Sequence, residues 1–197
     1  MATRRDFMKM TALAGGVMAG SSVSNSALAG LPEPVSQTSP DTMDPLQPHD
    51  GSHPYNPVVT LNGWSLPYRM NKGFKEFHLV AEPVVRELAP GMEANLWGYN
   101  GQSPGPTIEV VEGDKVRIFL TNRLPEHTSM HWHGQRLPNG MDGVAGLNQP
   151  AVMPGKTFVY EFEAKRPGTF MYHPHADEMT QMAMGMMGFW VTHPRTK

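Results

Sequence analysis

The chain has no cysteine, and that absence removes disulfides, thiolate zinc sites and cysteine nucleophiles together. Any metal must be held by nitrogen, oxygen or thioether sulfur. Long apolar runs are also lacking: the stretch from Met10 to Gly20 is too short to cross a bilayer as a helix. Nor is there an excess of positive charge. With 16 Lys and Arg against 18 Asp and Glu, the chain does not offer the basic face that nucleic acid requires. Helical periodicity is scarce, and no repeat of solenoid length recurs. The 197 residues suffice for one domain of ordinary size.

Residues 1–29 read as a signal peptide. Thr3 to Lys9 (TRRDFMK) set paired arginines and a phenylalanine ahead of the short apolar stretch, and Ala27 to Ala29 offer small residues for cleavage before Gly30. The arginine pair resembles a twin-arginine export signal, which implies a periplasmic destination and a route used by proteins already folded. Cleavage there removes Arg4, Arg5, Lys9 and Asp6, leaving 13 basic and 17 acidic side chains and a formal charge of −4. Residues 30–57 hold seven prolines and few apolar side chains, so they are expected to form an extended leader. His49 and His53 within it read as solvated linker residues.

From residue 58 to 197 the pattern changes to short alternating runs between turn signals, the mark of antiparallel strands with one buried face. In DKVRIFLTN, Val116, Ile118 and Leu120 share a face; in KTFVYEFEA, Phe158, Tyr160 and Phe162 do. EFHLVAEPVVREL is a further strand, expected to break or bulge at Pro83 because proline cannot donate to a ladder. Turns fall at NGQSPGP, VEGD, LPNGMDG and MPGK. These features predict an all-β Greek-key sandwich or barrel with one short helix. The helix is expected near Asp177 and Glu178, ending at Gly185.

Two motifs carry the chemistry. MHWHG supplies His131 and His133, and YHPH supplies His173 and His175. On a strand, residues i and i+2 point the same way, so each pair offers two imidazoles to one place. A lone histidine in a β domain is usually hydrogen-bonded or solvated, and His78, His127 and His193 are assigned to that class. Two such pairs, each beside an aromatic residue, point to a metal site. Imidazole by itself suits copper, zinc, iron and nickel alike.

The run NGQSPGPTIEVVEGDKVRIFLTNRL, followed by MHWHGQRLPNGMDGV, QPAVMPGKTFVYEFEAKRPGTFMYHPH and GMMGFWVTHP, resembles the first cupredoxin domain of the multicopper oxidases. The resemblance covers residues 95–193 and implies a cupredoxin-like fold. It implies that His131 binds a type 2 copper and that His133, His173 and His175 bind paired type 3 coppers. These would be half the ligands of a cluster that reduces dioxygen to water. Asp142 matches an acidic residue that helps deliver protons there, although NGMDG also suits a plain turn. Complete enzymes of the family oxidise a reducing substrate by single electrons at a cysteine-ligated type 1 copper in a later domain. The chain is therefore expected to be inactive alone and to need that C-terminal half, in cis or from a second chain.

Met179, Met182, Met184, Met186 and Met187 make up five of the twelve methionines after residue 29. Met179, Met182 and Met186 are expected to form a packing face of the helix. Thioether sulfur also suits Cu(I). That supports an alternative reading, a periplasmic copper-binding and buffering protein without oxidase activity. A zinc hydrolase is a third reading, with Asp142 or Glu178 as its base.

Overall fold

The computed structural model describes Val58 and residues 64–196. The expected signal peptide and extended leader, with His49 and His53, lie outside the described residues. Among the described residues, nine strands form two sheets. One contains β1 (Arg69–Asn71), β2 (Phe74–Ala89), β3 (Met92–Tyr99), β5 (Lys115–Asn122) and β7 (Thr157–Glu163). The other runs in the order β4 (Gly105–Val111), β9 (Gly188–His193), β8 (Gly168–His173) and β6 (His131–His133). A single short helix, α1 (Glu178–Ala183), is present among the described residues, with one 3-10 turn at Asn139–Met141. The expected all-β sandwich with one short helix is the observed architecture.

The alternating runs bury the faces assigned to them. Val116, Ile118, Leu120, Tyr160 and Phe162 meet Ile108, Val110, Trp132, Tyr172 and Trp190 of the opposite sheet in a continuous core. Burial of each large apolar side chain contributes about 1.5–3 kcal/mol. On the outward side of β5, Thr121 is also buried, bonded to Thr157 at 2.9 Å and to His78 at 2.8 Å.

The strand does not break at Pro83. β2 continues through it and pairs Pro83 with Trp97; the register shift falls later, between Glu87 and Ala89. The reason is a change of neighbours. Ala81 pairs with Asn122 of β5 on one edge and Tyr99 of β3 on the other. The Ala81 carbonyl accepts from Arg123 on the β5 edge, whereas the Val80 carbonyl accepts from Asn100. Alternation turns the nitrogen of Pro83 to the β5 edge, just past the last β5 residue, where the ladder asks for no donor.

Candidate metal centre

Burial of Trp132 decides where the first histidine pair points. Trp132 is 1% exposed, and its ring meets Tyr160, Phe162, Tyr172 and Trp190 with centroids 5.2–6.2 Å apart. The two-residue period of β6 then sends His131 and His133 to the opposite face. On β8 the same device operates through Tyr172, which is buried and donates its hydroxyl to the Pro106 carbonyl at 2.6 Å. Register places His131 opposite His173 and Trp132 opposite Tyr172. His173 therefore emerges beside His131.

One ring nitrogen from each of His131, His133 and His173 lies within 4.8 Å of the other two. His133 Nδ1 and His173 Nε2 stand 3.3 Å apart. Donors each about 2.0–2.1 Å from one ion, at a tetrahedral angle, would be separated by about this distance. The ring tautomers follow from their neighbours. His131 Nδ1 lies 2.7 Å from the Asp142 carbonyl oxygen and His173 Nδ1 lies 3.0 Å from that of Pro174. A carbonyl only accepts, so each Nδ1 carries the proton and each Nε2 keeps a lone pair for a metal. His173 is nearly fully buried, and burial pushes its pKa down. The Pro174 carbonyl and Glu178 oppose that shift, while His131 and His133 add to it.

His175 is placed differently. β8 ends at His173, so the strand period that aligns His131 with His133 does not reach across Pro174. The His175 ring still stands 5.4 Å from that of His131, but it is outside the tight group of three. Its main-chain N–H donates to Ser129 Oγ at 3.2 Å, and its Nε2 lies 3.5 Å from the Glu178 carboxylate. The other Glu178 oxygen lies 3.7 Å from His173 Nδ1. A carboxylate thus borders both members of the second pair.

Asp142 reaches His131 mainly through its main chain; its carboxylate is 3.4 Å from the same Nδ1. The approach depends on Gly143, which has φ +85° and whose Cβ, if present, would fall 1.8 Å from the Met130 carbonyl oxygen. Only glycine lets this turn lie flat against the strand leading into β6.

The other described histidines stand apart from the cluster. His78 bonds Thr121, with its pKa lowered to about 4 by burial and by the Arg123 charge. His193 Nε2 lies 3.0 Å from Glu109 Oε2. His127 is exposed.

The expected methionine face is not formed. α1 ends at Ala183, so Met186 lies beyond it; Met186 is fully buried while Met179 is 88% exposed. The helix buries Gln181 instead. Sequence reasoning missed that residue, as it missed Ser129. A long amide side chain with a large hydrogen-bonding capacity between Met179 and Met182 was the available signal.

A profile of the family described as multicopper oxidase matches residues 81–197. Multicopper oxidase mco of Staphylococcus aureus is 39% identical over 125 residues, covering 62% of this chain and 27% of that protein. Copper resistance protein A of Escherichia coli is 45% identical over 112 residues, covering 57% of this chain and 18% of that protein. A crystal structure of a multicopper oxidase from Pseudomonas thermotolerans aligns with a TM-score of 0.61 at 42% identity, covering 62% of this chain and 30% of that one. The chain thus spans less than a third of the length of each.

Proposed function

The chain belongs to the multicopper oxidase family, and from that premise we propose that it supplies half the histidine ligands of an oxygen-reducing copper cluster. His131 would hold the type 2 copper, and His133, His173 and His175 the type 3 pair. The observation that carries this reading is the convergence of donor atoms from His131, His133 and His173 within 4.8 Å. The donor set fits: imidazole nitrogens converge, the Nδ1 atoms of His131 and His173 each face a carbonyl, and the chain has no thiolate.

Copper bound there would supply one-electron redox chemistry toward dioxygen. The chain's own residues hold the geometry. The Asp142 and Pro174 carbonyls orient His131 and His173, the sheet fixes their spacing, and the Asp142 and Glu178 carboxylates sit where protons could be exchanged with the site. A second cupredoxin unit, in cis or from another chain, completes the cluster and carries the site that oxidises substrate. The paired arginines and ALA sequence of residues 1–29 support export to the periplasm by the twin-arginine route.

Titration of the purified full chain with Cu(II), followed by electron paramagnetic resonance, tests the proposal. A nitrogen-ligated signal that disappears in His131→Ala and His173→Ala supports it. No binding at micromolar copper, or binding indifferent to both substitutions, overturns it.

A second reading, copper buffering, is favoured by one observation: Met179 presents its thioether almost fully to solvent. Cu(I) affinity that falls on replacing Met179, Met182, Met184 and Met187 supports buffering. Affinity unchanged by those replacements removes it.

A further inference from the structure

Gln181 is 0% exposed, an unusual position for an uncharged amide in a six-residue helix, and its side chain is fully engaged with one segment. Thr128 Oγ1 donates to Gln181 Oε1 at 2.7 Å; Gln181 Nε2 donates to the His127 carbonyl at 2.8 Å and to Glu126 Oε1 at 2.9 Å. That segment leads directly into β6. Its other polar groups are met in the same way: Asn122 Nδ2 donates to the Glu126 and Val152 carbonyls, and the Met130 N–H donates to the Tyr160 hydroxyl. Between Thr128 and Met130, Ser129 Oγ accepts the His175 N–H.

We propose that Gln181 is a positioning residue for the metal centre, a buried strut that fixes the α1 side of the second histidine pair against the segment carrying the first. The inference rests on the functional reading above and deepens it. The sheet fixes His131 against His173, since these two are register partners. It does not fix His175, which lies beyond the end of β8. Two ties join that stretch to the segment before β6: Ser129 at His175 itself, and Gln181 six residues later in α1. A methionine at position 181 would fill the volume but make none of the three bonds. The Thr128 hydroxyl and the His127 carbonyl would then lose buried partners, and α1 could slide relative to the approach to β6. Ligand geometry depends on such outer contacts as much as on the ligands.

The test uses the full chain and Co(II), whose visible absorption reports ligand number and geometry, alongside Cu(II) titration. Gln181→Met and Ser129→Ala are compared with Ile118→Val, a core substitution that lowers stability at a residue making neither tie. Both strut variants are expected to weaken metal binding about 10-fold and to shift the Co(II) spectrum. Ile118→Val is expected to keep the wild-type spectrum at a similar loss of melting temperature. If Gln181→Met unfolds, Ser129→Ala together with Thr128→Val carries the comparison. Wild-type spectra and affinities in the folded strut variants overturn the strut. Failure of the wild-type chain to bind either metal overturns the reading beneath it instead.

Discussion

His131 and His173 are direct cross-strand partners on β6 and β8, with ring centroids 5.2 Å apart. A metal bound between them couples the two strands, so loading should stabilise the fold by mass action, about 2.7 kcal/mol when free metal is a hundred times its dissociation constant. His131→Ala is expected to weaken Cu(II) binding at least about 100-fold and to abolish the rise in melting temperature expected of the wild type with copper. Calorimetric melts with copper and with chelator measure both.

The Asp142 side chain and main chain make separable contributions. Asp142→Asn keeps the carbonyl that holds His131 Nδ1, and is expected to change metal affinity less than about 10-fold. Gly143→Ala forces a Cβ into the Met130 carbonyl and is expected to cost about 2–3 kcal/mol and most of the metal binding. Denaturant melts and metal titrations of the two variants should rank in that order; the reverse ranking would contradict the main-chain role.

Glu178 is partly exposed, and its carboxylate borders His173 and His175. Glu178→Gln is therefore expected to leave the melting temperature of the metal-free chain nearly unchanged while weakening Cu(II) binding about 10-fold. Equal affinities within twofold would remove Glu178 from the site.

His78 makes stability depend on pH. Its folded pKa, about 4, lies below the ordinary value of 6.5 because burial and the Arg123 charge disfavour the cation, and its ring faces Thr121 of β5. The unfolded chain binds the proton first, so the contribution of neutral His78 is complete above pH 6.5 and is lost as pH falls toward 4. The loss amounts to about 3 kcal/mol. His78→Gln should flatten the melting temperature across that window relative to wild type.

The two-residue period made the strands and the first histidine pair legible, because burying Trp132 between His131 and His133 leaves one outcome for both rings. The same rule could not reach His175, since nothing in YHPH says that β8 stops at His173. Pro83 misled for a related reason: its cost depends on which edge of β2 has a neighbour, and β2 changes neighbours at Ala81. The methionine face assumed a helix running to Gly185, whereas α1 ends at Ala183. Gln181 stayed hidden because a polar residue ordinarily marks the solvent side of a helix, and its three acceptors and donors lie more than fifty residues earlier in the chain.

Where β2 runs on past the last residue of β5, the hairpin with β3 exposes one flank of backbone with no strand pairing to it among the described residues. Bare flanks of this kind recruit other chains, and exposed Val85 and Leu88 would add to the adhesion. Pro83 leaves a gap in that row of donors, and Arg86 and Glu87 put charge along it. Replacing Pro83 with valine should therefore leave the chain folded yet make it self-associate, visible as growing light scattering on storage at high concentration; on this reasoning the residue that looked like a flaw in the strand guards its open side.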